Sequence, residues 1–148
     1  SSPLQRAYDT AHASAKALGL DVTVDDDLIE TDFGDWEGLT FREASERDPQ
    51  LHGRWLRDTA VPPPQGESFD AVAARVRAAQ RRLVEQYAGR TVLVVSHVTP
   101  IKTLLRLALD AGPAMLYRLH LDLASLSIAE FYPDGAASVR LVNQTSYW

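Results

Sequence analysis

Thr91 to Ser96 is a continuous aliphatic and β-branched run that leads straight into His97 and then into a segment suited to a helix near Pro100. A short run without polar alternation is the pattern of a strand covered on both faces. A strand that passes directly into a helix makes a strand-loop-helix unit, and in open parallel sheets ligands gather at the carboxyl ends of the strands. The run therefore points to an α/β fold with a mainly parallel sheet. It sets Ser96, His97 and Val98 at the mouth of any site.

The remaining chain supplies helices and one hairpin. Leu4, Ala7, Tyr8, Ala11, Ala15 and Leu18 recur at helical spacing, so Pro3 to Leu18 is expected to be a helix that Gly19 ends, with Arg6 in its first turns. Asp21 to Val24 is expected to be a short strand. The following stretch carries Asp25, Asp26, Asp27, Glu30, Asp32, Asp35 and Glu37 without a basic residue and reads as a loop. Thr40 with Glu43 is a capping-box pattern opening a helix towards Asp48, and Val61 to Gly66, with three consecutive prolines, breaks helical structure. Ser68 can cap a long amphipathic helix whose apolar face is Phe69, Val72, Val76, Ala79, Leu83 and Tyr87 and which Gly89 closes. Ser125 to Tyr132 and Ala137 to Asn143 read as two strands joined at Pro133, Asp134 and Gly135.

Composition narrows the function classes. A chain of 148 residues is sized for one domain, residues 1–148, and no apolar run approaches a membrane span of about 20 residues. A net charge of −5 gives no basic face for nucleic acid, so any anion site has to be a local pocket. The absence of cysteine excludes disulfides and thiolate chemistry and is compatible with the reducing cytoplasm, where the protein is expected.

His97 is the first candidate on position, held rigidly behind a buried strand. Thr99 suits an N-cap and Pro100 a first helical position, so a helix end would direct free N–H groups, that of Val98 among them, at an anion beside His97. A histidine that merely packs at a strand end would produce the same pattern. His12, His52 and His120 show no ligand-like spacing and read as surface or core residues, and no metal pattern is present. Arg6 and Glu30 are anonymous on pattern alone. Phe33 and Trp36 read as core or wall residues, with Trp36 as a substrate-stacking surface the alternative.

Two segments, Ser-Ser-Pro-Leu-Gln-Arg-Ala-Tyr-Asp-Thr-Ala from Ser1 and Val-Val-Ser-His-Val-Thr-Pro-Ile-Lys from Val94 to Lys102, resemble signatures of the histidine phosphatase superfamily, which includes the phosphoglycerate mutases. Gly66-Glu67-Ser68 resembles the motif before that family's long helix, with Gln65 where a further glycine is usual, and Val98-Thr99 stands where many relatives carry Gly-Gly. The family's Arg-His-Gly motif, which carries the nucleophilic histidine on a first central strand, does not occur in this chain. The resemblance implies a three-layer α/β sandwich with a mainly parallel central sheet that lacks its first strand here, the nucleophile lying upstream. A fragment without that strand is expected to fold poorly, because central backbone groups would lack partners.

The same resemblance implies that Arg6 grips the phosphoryl group, that His97 flanks it as a stabiliser, and that Glu30, in Leu28 to Gly38, protonates the leaving oxygen. Guanidinium suits the first task because its planar donors match phosphate oxygens. The acidic neighbours of Glu30 are expected to help it hold a proton, since like charges disfavour ionisation. The implied activity is that of a phosphomonoesterase needing neither metal nor cofactor. The partner is a small phosphorylated substrate under a cap formed by Leu39 to Gln65, including Leu51, Trp55 and Leu56. The closest resemblance is to phosphatases of α-ribazole 5′-phosphate in cobalamin assembly and to an acid phosphatase domain that follows a ribonuclease H domain. The alternatives are mutase-type phosphoryl transfer and a non-catalytic phosphate-binding module. Ser96 beside His97 suggests a serine hydrolase only weakly, for no Gly-x-Ser-x-Gly elbow is present.

Overall fold

The structure is a computed structural model that describes residues 1–146. Helix α1 (Gln5–Leu18) buries Ala7, Ala11 and Ala15 along one face and ends at Gly19, whose left-handed backbone lets its N–H reach the carbonyls of Ala15 and Lys16. Short 3₁₀ turns at Asp26–Leu28 and Gly34–Trp36 shape the acidic stretch. Helix α2 (Phe41–Arg47) opens on the expected capping box: Thr40 Oγ1 accepts from Glu43 N–H and Glu43 accepts in return from Thr40 N–H. Helix α3 (Pro49–Trp55) follows at once, with proline in its first turn.

Helix α4 (Phe69–Gln86) starts where Ser68 Oγ accepts from Ala71 N–H at 3.1 Å, and it ends at Tyr87, ahead of the expected Gly89. Its buried face of Val72, Val76 and Ala79 packs on helix α5 (Val98–Ala108), which contributes Leu105 and Thr103. Strands β1 (Leu126–Phe131) and β2 (Ala137–Gln144) form the expected antiparallel hairpin, and Gly135 turns it at φ +91°. Among the described residues no helix is long and apolar enough to cross a membrane.

The sheet departs from expectation. Among the described residues the hairpin is the only sheet, in place of a mainly parallel one. Among the described residues, 91–97 join no ladder, and a parallel ladder needs a second strand. Ser2 N–H donates to Val95 O at 2.9 Å. The expectation of cover on both faces fails with the ladder, as Val92 and Leu93 are 42% and 53% exposed. Asp21 to Val24 likewise joins no ladder among the described residues. Ser1 lies against it, accepting from Asp25 N–H.

The segment between the acidic loop and α4 has its own core. Trp36, Ala44, Trp55, Val61, Phe69 and Leu116 are buried together, with Phe33 and Leu51 packed against them. Trp36 belongs to this core: it is buried, and its Nε1–H donates to Asp48 Oδ2 at 2.8 Å. Trp55 is buried as well, whereas Leu56 is exposed. A cavity of about 210 Å³ opens between Phe33, Trp36, Leu39, Phe41, His52 and Trp55.

Candidate active site

The N-terminus of α5 is the meeting point. His97 is its N-cap and uses no side-chain cap, so the imidazole is free to turn elsewhere. It turns to Ser2: His97 Nε2 and Ser2 Oγ are 2.7 Å apart. Ser2 is fully buried, and its Oγ accepts from Leu4 N–H at 3.3 Å. The serine hydroxyl can donate to Nε2 of a neutral ring or accept from it with its second lone pair, the direction following the tautomer. Burial is the largest influence on His97 and pulls its pKa below the ordinary 6.5; Glu30 pushes it up, and Arg6 and Arg75 push it down. Four charged or titratable groups, contributed by three helices and a loop, thus act on one another here.

Glu30 stands across from the start of α5. Its Oε1 accepts from Thr31 N–H at 2.7 Å and its Oε2 from Thr99 N–H at 3.5 Å, so a carboxylate occupies the place at which free helix N–H groups were expected to attract an anion. Val98 N–H has no acceptor among the described residues. Arg6 is exposed in the first turn of α1, and its guanidinium has no hydrogen-bond or ion-pair partner among the described residues. Lys102, one turn into α5, donates to Leu116 O at 3.0 Å; burial lowers its pKa and Glu30 raises it.

The structure thus brings Arg6, Glu30, His97 and Val98 together and leaves the other histidines apart. His12 stacks on Tyr8, His52 is buried among aromatic rings, and His120 contacts Asp122 on the surface. Ser96 Oγ donates to Leu28 O at 2.6 Å, which removes it from any serine-hydrolase role. Ser2, next to His97, is too buried to be a nucleophile. Among the described residues no three His, Asp or Glu side chains group as metal ligands.

One premise about Glu30 needs correction. The acidic stretch has no basic residue of its own, but α4 supplies them: Arg82 pairs with Asp25 at 3.0 Å and with Asp27 at 2.8 Å. The like-charge surplus seen in the sequence is thus partly offset in space. Chemically, the group can do two things. An unpaired guanidinium, open helix N–H groups and an imidazole can receive a phosphoryl group. A carboxyl beside them can move a proton.

Sequence reading missed Ser2, Glu67 and Arg75. Ser2 lies inside the quoted N-terminal segment, and its signal was the pair of serines ahead of Pro3. Arg75 donates to Glu67 and to three carbonyls of the Glu30 segment, and nothing but its place on the polar side of α4 marked it.

The chain belongs to the histidine phosphatase superfamily (branch 1), whose family model matches residues 1–144. It is 75% identical over 147 residues to the bifunctional protein Rv2228c of Mycobacterium tuberculosis, covering 99% of this chain and 40% of that protein's length. Among solved structures it resembles the mycobacterial glucosyl-3-phosphoglycerate phosphatase, with TM-score 0.85, 30% identity and coverage of 97% of this chain and 74% of that one. The α-ribazole phosphatase of Shigella flexneri gives TM-score 0.82 and 27% identity over 97% of this chain and 71% of that one.

Proposed function

We propose that the chain is part of a phosphomonoesterase that works through a phosphohistidine, its nucleophilic histidine carried by a segment upstream of Ser1. The observation that carries this reading is the convergence of Arg6, His97 and Glu30 on the open N-terminus of α5. The upstream histidine attacks phosphorus; a nitrogen–phosphorus bond forms as the bond to the leaving oxygen breaks. Glu30 gives its proton to that oxygen, releasing an alcohol. A water then attacks the phosphohistidine, returns a proton to Glu30, and frees histidine and inorganic phosphate. Arg6, His97 and Val98 N–H offset the phosphoryl charge throughout, so no step calls for a metal.

The open edge at residues 91–97 supports an upstream strand, because exposed Val92 and Leu93 and unpaired backbone are what such a strand would cover. Resemblance to glucosyl-3-phosphoglycerate and α-ribazole phosphatases favours small phosphate esters of alkyl alcohols, with α-ribazole 5′-phosphate the first to try. The name of the bifunctional relative favours a second fused domain, and ribonuclease H is our candidate for it.

The test is phosphate release from p-nitrophenyl phosphate by the polypeptide that includes the upstream segment, with chelator present. His97→Ala should cut turnover by about 10²–10³-fold, the scale of losing one preorganised stabiliser of developing charge. An unchanged rate would refute the assignment, and transfer of phosphate within the substrate in place of release would favour a mutase.

A further inference from the structure

Glu67 belongs to a recognised motif yet has no part in the chemistry above. Its side chain is paired with Arg75 of α4 in a bidentate ion pair, Nε to Oε1 at 2.9 Å and Nη2 to Oε2 at 2.9 Å. Arg75 also donates from Nη1 to the carbonyls of Asp27 at 2.8 Å and Ile29 at 2.7 Å, and from Nη2 to the carbonyl of Glu30 at 3.3 Å. A guanidinium has five N–H donors, and these contacts use all of them. Arg75 therefore has nothing left with which to bind a phosphate, although it lies near His97.

What it grips is the backbone that carries Glu30. Ser96 Oγ holds Leu28 O at 2.6 Å, and Glu67 N–H holds Asp32 O at 2.8 Å. From residue 27 to residue 32, every carbonyl except that of Thr31 is held by a group from outside the segment. Glu67 acts on both sides of Glu30, upstream through Arg75 and downstream through its own N–H. The Glu30 carboxylate, in contrast, has only Thr31 N–H and a long contact to Thr99 N–H. A fixed root with a lightly held head is the arrangement proton delivery requires: the oxygen must sit at one place and still exchange a proton.

We infer that Arg75, locked by Glu67, is a positioning residue for Glu30 and sets the point from which Glu30 delivers its proton to the leaving group. The inference rests on the reading of Glu30 as proton donor. Two rival roles exist for Arg75, general support of the fold and electrostatic action on the phosphate or His97. Both would affect all substrates alike. Positioning of a proton donor affects only substrates whose leaving group needs a proton.

The experiment uses the polypeptide with its upstream segment and compares an alkyl phosphate with 2,4-dinitrophenyl phosphate, whose leaving group departs unprotonated. Lysine at position 75 keeps the charge but cannot bridge Glu67 and three carbonyls. Arg75→Lys should lower kcat/KM on the alkyl phosphate by about 10–100-fold, the scale of a displacement of about 1 Å, and on the dinitrophenyl ester by less than about threefold. Glu30→Gln should show the same selectivity, and the double variant should be no slower on the alkyl ester than Glu30→Gln alone. Glu67→Gln, which leaves the carbonyl contacts in place, should give the same pattern more weakly and serves if Arg75→Lys does not fold. Equal losses on both esters, no loss on either, or additive losses in the double variant would overturn the inference. A Glu30→Gln enzyme without leaving-group selectivity would instead overturn the proton-donor role itself.

Discussion

Gly34 and Gly66 let two loops touch backbone to backbone, and replacing Gly34 by alanine measures how much that contact matters. A Cβ on Gly34 would lie 2.1 Å from Pro64 O, 2.5 Å from Gly66 N and 2.6 Å from Gln65 C. All three are backbone atoms, so the 64–66 loop would have to move away, and with it Asp35 N–H to Pro64 O at 2.9 Å and Glu67 N–H to Asp32 O at 2.8 Å. Losing both bonds costs about 1–3 kcal/mol. Gly34 also has φ +52°, where a side chain adds about 1–2 kcal/mol. The expected loss is therefore about 2–5 kcal/mol. Gly38 is the control, with φ +77° and nothing within 4 Å of its Cβ position, so Gly38→Ala should cost only the left-handed share of about 1–2 kcal/mol. Urea unfolding of both variants at one pH reads the difference. Gly34→Ala should move the midpoint by about 1–2 M, and more than Gly38→Ala does. If the two variants lose the same stability, the loops do not meet as described and the downstream clamp on Glu30 falls with them.

Two further outcomes concern His97. Its folded pKa lies below the unfolded 6.5, so the unfolded chain takes up the proton first: the stability that goes with a neutral ring is full above 6.5 and is lost as pH falls from there through the folded value. Wild-type protein should thus lose urea resistance relative to His97→Gln on acidification through that window, by a small amount because the ring is only partly buried. Parallel pH curves would contradict the assignment. Ser2→Ala leaves His97 Nε2 and Leu4 N–H without their shared partner and should cost about 1–3 kcal/mol. It should also change the His97 tautomer balance seen by nitrogen NMR, and an unaltered imidazole spectrum would show that the contact does not orient the ring.

Elements whose cause is local were readable from the sequence. The Thr40 and Glu43 capping box, the Ser68 cap, the glycine end of α1 and the turn at Gly135 depend on residues a few positions apart, and each stands where the pattern set it. The sheet did not follow, because a strand is a relation between two segments. Thr91 to Ser96 has the composition of a buried strand, but its exposure is decided by what lies beside it. The same limit affected charge. Asp25 and Asp27 crowd Glu30 in the sequence, and only the fold brings Arg82 to them from 57 and 55 positions away.

The candidate site divides along a physical line that explains which of its residues were legible. Among the described residues the Arg6 guanidinium has no partner, Val98 N–H has no acceptor, and the Glu30 carboxylate has two contacts, one of them long. Groups that must receive a substrate have to keep bonding capacity unused in its absence, and their place in a motif is the mark that survives in the sequence. Ser2 and Arg75 are the opposite case: Ser2 bonds both Leu4 N–H and His97, Arg75 commits all five donors within the protein, and each is buried or nearly so. Their task is to hold His97 and Glu30 in place, which an isolated serine or helix arginine cannot announce. Helix α4 is the extreme example. It contributes no group to the proposed chemistry, yet it packs against α5 and pins the Glu30 segment through Arg75 and Arg82. Substitutions on its polar side should therefore alter turnover without touching substrate, and the change should be greatest at Arg75, where all five donors are committed, and slight at solvent-exposed Arg82, where screening weakens the pairs.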